Sequence, residues 1–220
     1  MDKTYNYSRF TLSCYDFSHF PGPKAGERFP LETLPALEKN RWSVIETVSL
    51  TCPMYARHVS QMNKLAKKYP FAQFLNLYVR EGHPGERTPQ HRTAGEKQMC
   101  AERLDNLFGE KRKTVVDTLQ GDLHQQLGFF PNMLYIVRRD GIIAFRGDWA
   151  EPRDVERILE TRNDHVIDSR QWILVRVPSP MVVWKVLRYG GWLAIYDFVK
   201  GLPGLFYHMI LKRVRFGQNH

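Results

Sequence analysis

The chain has 220 residues, 43% of them hydrophobic and 13% aromatic, enough for one domain with a sizeable core plus an appendage. Its three cysteines, Cys14, Cys52 and Cys100, are odd in number and widely spaced, which argues against a disulfide framework or a zinc site of Cys pairs and for a reducing compartment. The net charge of +9 is uneven, the last ten residues carrying Lys212, Arg213 and Arg215 with no acid, but no nucleic-acid motif accompanies it, so nucleic acid is not an expected partner.

The N-terminal residues carry no apolar stretch of the export type. Residues 1–40 read as an irregular lead-in, turn-rich around Pro21-Gly22-Pro23, with an edge strand expected over 29–34. Residues 42–50 form a β-rich apolar run broken only by Glu46. Pro53 then suits the first position of a helix. Beyond it Tyr55, Val59, Met62, Ala66 and Tyr69 recur at spacings of three and four, one face of a helix. Cys52 stands at this joint. A helix N-terminus, with Arg57 and His58 one turn on, is expected to hold its thiolate and lower its pKa.

The residues 71–79 form the next strand, followed by a long polar loop over 80–92 that contains Glu81, His83, Glu86 and His91; loops of this length are usually functional or disordered. A helix is expected over 95–108, with Met99, Leu104, Leu107 and Phe108 as core contacts. A short strand follows over 114–119, then a short helix closed by Gly128. Two strands joined at Arg139-Asp140-Gly141 form a hairpin, and a helix over 152–161 closes the unit. The element order describes an α/β protein, a thioredoxin-like fold with a central mixed sheet flanked by helices. In that fold a cis-proline precedes the third core strand beside the thiol, and Pro131 occupies that place; cis and trans stay open alternatives.

The residues 41–160 resemble the iodothyronine deiodinase family. Ser49-Leu50-Thr51-Cys52-Pro53 matches its Ser-Cys-Thr-selenocysteine-Pro run, with Cys52 at the selenocysteine. Glu81-Gly82-His83-Pro84, His91-Arg92, the Val-Val-Asp-Thr run at 115–118, the strand at 134–137 and Phe145-Arg146-Gly147 follow in the family's order. The resemblance implies catalytic roles for Cys52, Glu81, His83 and His91, with Thr51, Pro53, Pro131 and Arg92 in support. Leu50 replaces the family's auxiliary cysteine, Trp149 stands where a basic residue is common, and the N-terminal membrane anchor of the animal enzymes is not matched.

The chemistry expected is a thiolate attack by Cys52 on a peroxide, disulfide or halogen, with Glu81, His83 or His91 protonating the leaving group. Tyr55 occupies the second-cysteine position of a dithiol motif, so the reductant is an outside thiol; within the chain, Cys100 is the reasonable resolving residue. No metal or other cofactor is expected.

The organisation read from the chain is a lead-in (1–40), a thioredoxin-like deiodinase-type domain (41–165) and a basic amphipathic C-terminal extension (166–220). In the extension a strand is expected over 172–177. Residues 181–199 are apolar but interrupted by Lys185, Arg188 and Asp197, too costly for a spanning helix. Trp184, Tyr189, Trp192 and Tyr196 with flanking cations are the pattern of interfacial helices. Residues 170–220 are therefore expected to dock on a membrane surface or membrane-protein complex, on the cytoplasmic side or in another reducing compartment. Packing on their own domain or on a second copy, as a homodimer, are the alternatives. A catalytically silent accessory subunit held by this tail is the competing reading to the enzyme.

Overall fold

The computed structural model describes residues 5–15, 21–30, 32, 34, 36–163, 165, 167–170 and 177–217, with side chains as far as 207 apart from that of Arg170. Six strands form one mixed sheet: β1 (Trp42–Val48), β2 (Ala72–Tyr78), β3 (Lys113–Val116), β4 (Leu134–Val137), β5 (Ile143–Gly147) and β6 (Asp168–Arg170). Their order is β3-β2-β1-β4-β5-β6. β1, β2 and β3 run parallel, β4 is antiparallel to both β1 and β5, and β6 pairs parallel with β5. This is the expected thioredoxin-like α/β fold.

β1 is buried along its whole length because both faces of the sheet are covered, as its near-continuous apolar run requires. On one face Val44, Phe74, Leu134 and Ile136 pack with residues of α2 (Val59–Lys68) and α5 (Pro152–Thr161). On the other, Ile45, Leu75, Leu77 and Tyr135 meet Phe10, Tyr15, Phe29 and Leu34 of the lead-in, with Leu123 and Leu127 of α4 (Asp122–Leu127). The lead-in is thus a wall of the core. The described residues of 29–34 form no strand; the nearest pairing is an isolated bridge between Arg28 and Ile142.

The helix expected over 53–69 is two helices, α1 (Pro53–Ala56) and α2, broken at Arg57 and His58. The break has an electrostatic reason. His58 Nε2 turns inward to Glu46 Oε1 at 2.6 Å, and Arg57 reaches Glu151 at 2.5 Å and the Ala150 carbonyl at 2.9 Å. Glu46 also takes a guanidinium hydrogen bond from Arg112 at 2.6 Å and an amide hydrogen bond from Asn132 at 2.7 Å. Burial alone would raise the Glu46 carboxyl, but His58 and Arg112 outweigh it and hold its pKa down to about 2. In α3 (Ala94–Phe108) the inward residues are Lys97, Ala101 and Leu104; Met99, expected in the core, is 59% exposed.

The C-terminal extension forms α6 (Pro180–Gly190) and α7 (Trp192–Gly217); the strand expected over 172–177 lies almost wholly outside the described residues. The two helices pack on their own domain. Val186, Leu187, Gly190 and Ala194 are buried, the Arg9 guanidinium binds the Asp197 carboxylate through two bonds of 2.5 Å, and Leu205 reaches the core cluster of the lead-in. Their outer faces expose Trp184, Trp192 (67%), Tyr196 (60%), Phe206 and Tyr207. No described helix is long and apolar enough to cross a membrane.

Candidate active site

Cys52 ends the turn from β1 into α1, with its N–H donated to the Ser49 carbonyl at 3.3 Å. Its surroundings differ from the expected ones. The thiol is 3% exposed, and burial pushes its pKa up to about 12 despite hydrogen bonds from the backbone of Tyr55 and Met54; Glu46 and Glu81 add to the rise. α1 is a single turn, and the Arg57 and His58 side chains turn to Glu151 and Glu46 instead of to the thiol. The expected lowering of the Cys52 pKa is therefore reversed in this conformation.

The loop over 80–92 is mostly interior. Glu81 is fully buried and accepts the Thr51 N–H (2.9 Å) and the Thr51 hydroxyl (2.6 Å) on Oε2, and the Tyr78 hydroxyl on Oε1. His91 Nε2 lies 3.3 Å from the same Oε1, outside hydrogen-bonding geometry, so that both buried ring nitrogens of His91 lack a hydrogen-bond partner. Burial would raise the Glu81 carboxyl; the neighbouring His91 ring and the Thr51 and Tyr78 hydroxyls bring it below the usual carboxylate value. Thr51 Oγ1 also accepts the His83 N–H at 3.0 Å, and Ser49 Oγ accepts the Gly82 N–H at 3.2 Å. A Cβ placed on Gly82 would lie 3.7 Å from the Cys52 Cβ. The loop backbone thus lies directly against the thiol.

Three of the four expected catalytic residues, Glu81, His83 and His91, are brought together through Thr51 and Glu81 beside Cys52. The His83 ring stands between Phe10 and Phe198, with ring centroids 4.4 and 5.4 Å away; its buried Nδ1 has no hydrogen-bond partner, and burial lowers its pKa to about 4. Pro53 opens α1 as expected. Arg92 does not reach the site: it is exposed, and its N–H binds Glu96 at the start of α3. The Phe130–Pro131 bond is trans, and no described peptide bond is cis. Cys100, half-buried on α3, shares an apolar cluster with Cys52, and both thiols are free.

Further residues hold this site: Arg80 and Tyr7, which the sequence reading passed over, and Glu86, which it named only as an acid of the loop. Arg80 lies among the rings of Tyr5, Tyr7, Tyr15 and Phe129 at 4.9–5.7 Å and donates to the Tyr5 and Cys14 carbonyls, which pins the lead-in over the loop. The Tyr7 hydroxyl contacts the Glu81 and Gly82 carbonyls at 3.0 Å each. Glu86 accepts the first N–H groups of α7, from Trp192 and Leu193, a helix-capping use of a carboxylate.

The 610 Å³ cleft between α2, α5 and the start of α6 is lined by Arg57, Lys68, Glu151 and Glu156 among others. Those four are already paired with one another.

Solved structures similar to this chain include a secreted disulfide oxidoreductase of Mycobacterium tuberculosis homologous to E. coli DsbE, at 10% identity over 56% of this chain and 83% of that one, with a TM-score of 0.42. StoA of Bacillus subtilis is similar at 13% identity over 64% and 100% of the two chains, TM-score 0.44. An uncharacterised conserved protein of Geobacillus kaustophilus is similar at 15% identity over 69% and 89%, TM-score 0.46. A search of curated proteins finds no match. The family model for iodothyronine deiodinase matches residues 31–163, more than half of the 220 residues, and the chain belongs to that family.

Proposed function

We propose that the protein is a thiol-dependent oxidoreductase that uses Cys52 as its single nucleophile and is held here in a closed form. The observation that carries the reading is the buried Thr51–Glu81–Tyr78 network, with His91 against it, packed beside a cysteine at a strand–helix joint. In the reaction the Cys52 thiolate attacks an electrophilic oxygen, sulfur or halogen atom X of a substrate X–Y, forming an S–X bond as the X–Y bond breaks. The electron pair leaves with Y, and His83 passes the thiol proton to it. An outside thiol then reduces the S–X bond and restores Cys52, in a compartment reducing enough to keep all three cysteines free. Burial under α6 and α7 makes opening of this cover a precondition for attack, since an inert thiol is the consequence of an apolar surround.

The test is turnover of an organic peroxide, a low-molecular-weight disulfide and an iodinated phenol, each with dithiothreitol, by the wild type, Cys52→Ser and Glu86→Gln, which loosens the cap of α7. Consumption of at least one substrate, faster in Glu86→Gln and lost in Cys52→Ser, supports the reading. Inertness of both the wild type and the loosened form toward all three, or activity that survives Cys52→Ser, sinks it.

A second reading rests on the outer face of α6 and α7, where Trp184, Trp192, Tyr196 and Tyr207 are exposed beside Lys185, Arg188 and Lys200. This pattern suits an anionic membrane surface and a docked, catalytically silent accessory subunit. Sedimentation with phosphatidylserine-containing vesicles, weakened by Trp192→Ser with Tyr196→Ser, is the expected result; equal sedimentation with neutral vesicles, or none, would count against it.

A further inference from the structure

Glu81 follows β2, His91 ends the loop over 80–92, and Cys100 lies on the second turn of α3, so nothing in their spacing marks them as a set. The fold nevertheless brings one donor atom of each within 4.8 Å of the other two. We propose that these three residues are a binding site for a zinc-class divalent transition metal. The proposal does not involve Cys52; it shares Glu81 and His91 with the thiol reading above, and its test reads metal binding instead of turnover.

The geometry is close to that of a bound ion. Bonds of 2.0–2.3 Å in a tetrahedron put neighbouring ligand atoms roughly 3.3–3.8 Å apart, and Glu81 Oε1 and His91 Nε2 are already 3.3 Å apart. Cys100 Sγ needs a closing movement of roughly 1 Å to reach such a tetrahedral edge. The second observation is His91 itself. The His91 side chain is 1% exposed, and neither ring nitrogen has a hydrogen-bond partner, whereas the neighbouring Thr88 and Gln90 side chains are bonded. A buried imidazole without partners is disfavoured unless something binds it, and a cation on Nε2 would satisfy it.

The supporting residues fit the same purpose. Thr51 takes Oε2 of Glu81 with two hydrogen bonds, and the Tyr78 hydroxyl steadies Oε1; together they turn the carboxylate toward His91, as partners of a metal ligand do. One nitrogen, one oxygen and one sulfur donor select a borderline-soft ion such as Zn²⁺ or Co²⁺ over Mg²⁺ or Ca²⁺, which demand oxygen. Three protein ligands leave a fourth position for an exogenous donor. The ion would also join both ends of the 80–92 loop to α3, and through Thr51 it adjoins the position of Cys52.

The test uses the full chain, stripped with a chelator and titrated with Co²⁺, then Zn²⁺. One equivalent of Co²⁺ with a thiolate-to-cobalt charge-transfer band is expected, displaced by Zn²⁺. Cys100→Ser should abolish the band and His91→Gln should weaken binding at least ten-fold, while Cys52→Ser retains both. As a measurement free of variants, Zn²⁺ should slow iodoacetamide labelling of wild-type Cys100 at least ten-fold and raise the melting temperature. No bound equivalent, a band lost in Cys52→Ser instead of Cys100→Ser, or unchanged labelling of Cys100 overturns the proposal.

Discussion

Gly190, the last residue of α6, lies against Gly85 in the loop after β2 with no room for a side chain on either. A Cβ on Gly85 would come within 2.4 Å of the Gly190 carbonyl oxygen. One on Gly190 would lie 2.6 Å from the Ala194 Cβ and 2.8 Å from the His83 carbonyl oxygen. The Arg87 N–H donates to the Gly190 carbonyl at 3.0 Å and the Thr88 hydroxyl to the Tyr189 carbonyl at 2.7 Å. The C-terminal helices are thereby seated on the loop that covers Cys52.

Gly190→Ala should therefore unseat α6 and α7 and leave the sheet intact. Overpacking of this kind costs about 1–3 kcal/mol, and lifting the cover by about 1.4 kcal/mol should speed iodoacetamide labelling of Cys52 about ten-fold. Peptide mass spectrometry of labelled Cys52, with circular dichroism to confirm the fold, reads the result. Unchanged labelling in a folded variant would show that the cover does not control access.

Arg112→Met should destabilise the domain far more than an exposed substitution. It leaves Glu46 and Glu110 without the guanidinium that both bind, and removing one member of a buried ion pair costs about 3–5 kcal/mol. Urea unfolding gives the number; a loss below about 1 kcal/mol, the range of exposed pairs, would show that the network carries little stability.

Stability should fall on acidification through buried groups with depressed pKa values, His124 and Glu46 foremost. His124, held neutral by burial and bonded to the Tyr5 hydroxyl (2.8 Å) and the Phe130 carbonyl (2.8 Å), has its pKa lowered from 6.5 to about 3. Glu46 is lowered from 4.5 to about 2. In each case the unfolded chain takes up the proton first as pH falls, so the stability is present above the unfolded value and is lost toward the folded one. The unfolding free energy should decline from about pH 6.5 through pH 4.5 because of His124 and of His83, lowered to about 4, and more steeply below that as Glu46 and Glu81 join. His124→Gln should flatten the upper part of the curve; a slope unchanged by that variant would assign it elsewhere.

Arg80→Met should loosen the lead-in. It removes the donor to the Tyr5 and Cys14 carbonyls, and each buried acceptor left unpaired costs about 1–3 kcal/mol. Arg80→Lys keeps the charge but not the planar fork and should fall between the two. Faster proteolysis within the first 30 residues is the readout.

The residues that set the sheet were legible because their period carries its own physics. The apolar runs of β1 and β2, the Pro53 start, the Asp140-Gly141 turn and Gly128 after α4 are local signals, and each element lies within a few residues of its expected place. Local order also placed Cys52 at the strand–helix joint and Glu81, His83 and His91 on one loop. It could not give the thiol's environment. A pKa depends on which groups surround a side chain in space, and the basic side chains next to Cys52 in sequence, Arg57 and His58, are bound to Glu151 and Glu46 across the fold. The loop over 80–92 is polar in composition. It is interior because Arg80, Glu81 and Gln90 find partners in the lead-in, Thr51 and the loop backbone, and because α6 and α7 close over it. Cys100 comes to Glu81 and His91 only through the packing of α3. A sequence fixes periodicity and turns through neighbours along the chain; which distant charges meet, and which thiol is buried, is decided by the tertiary packing that removes them from water.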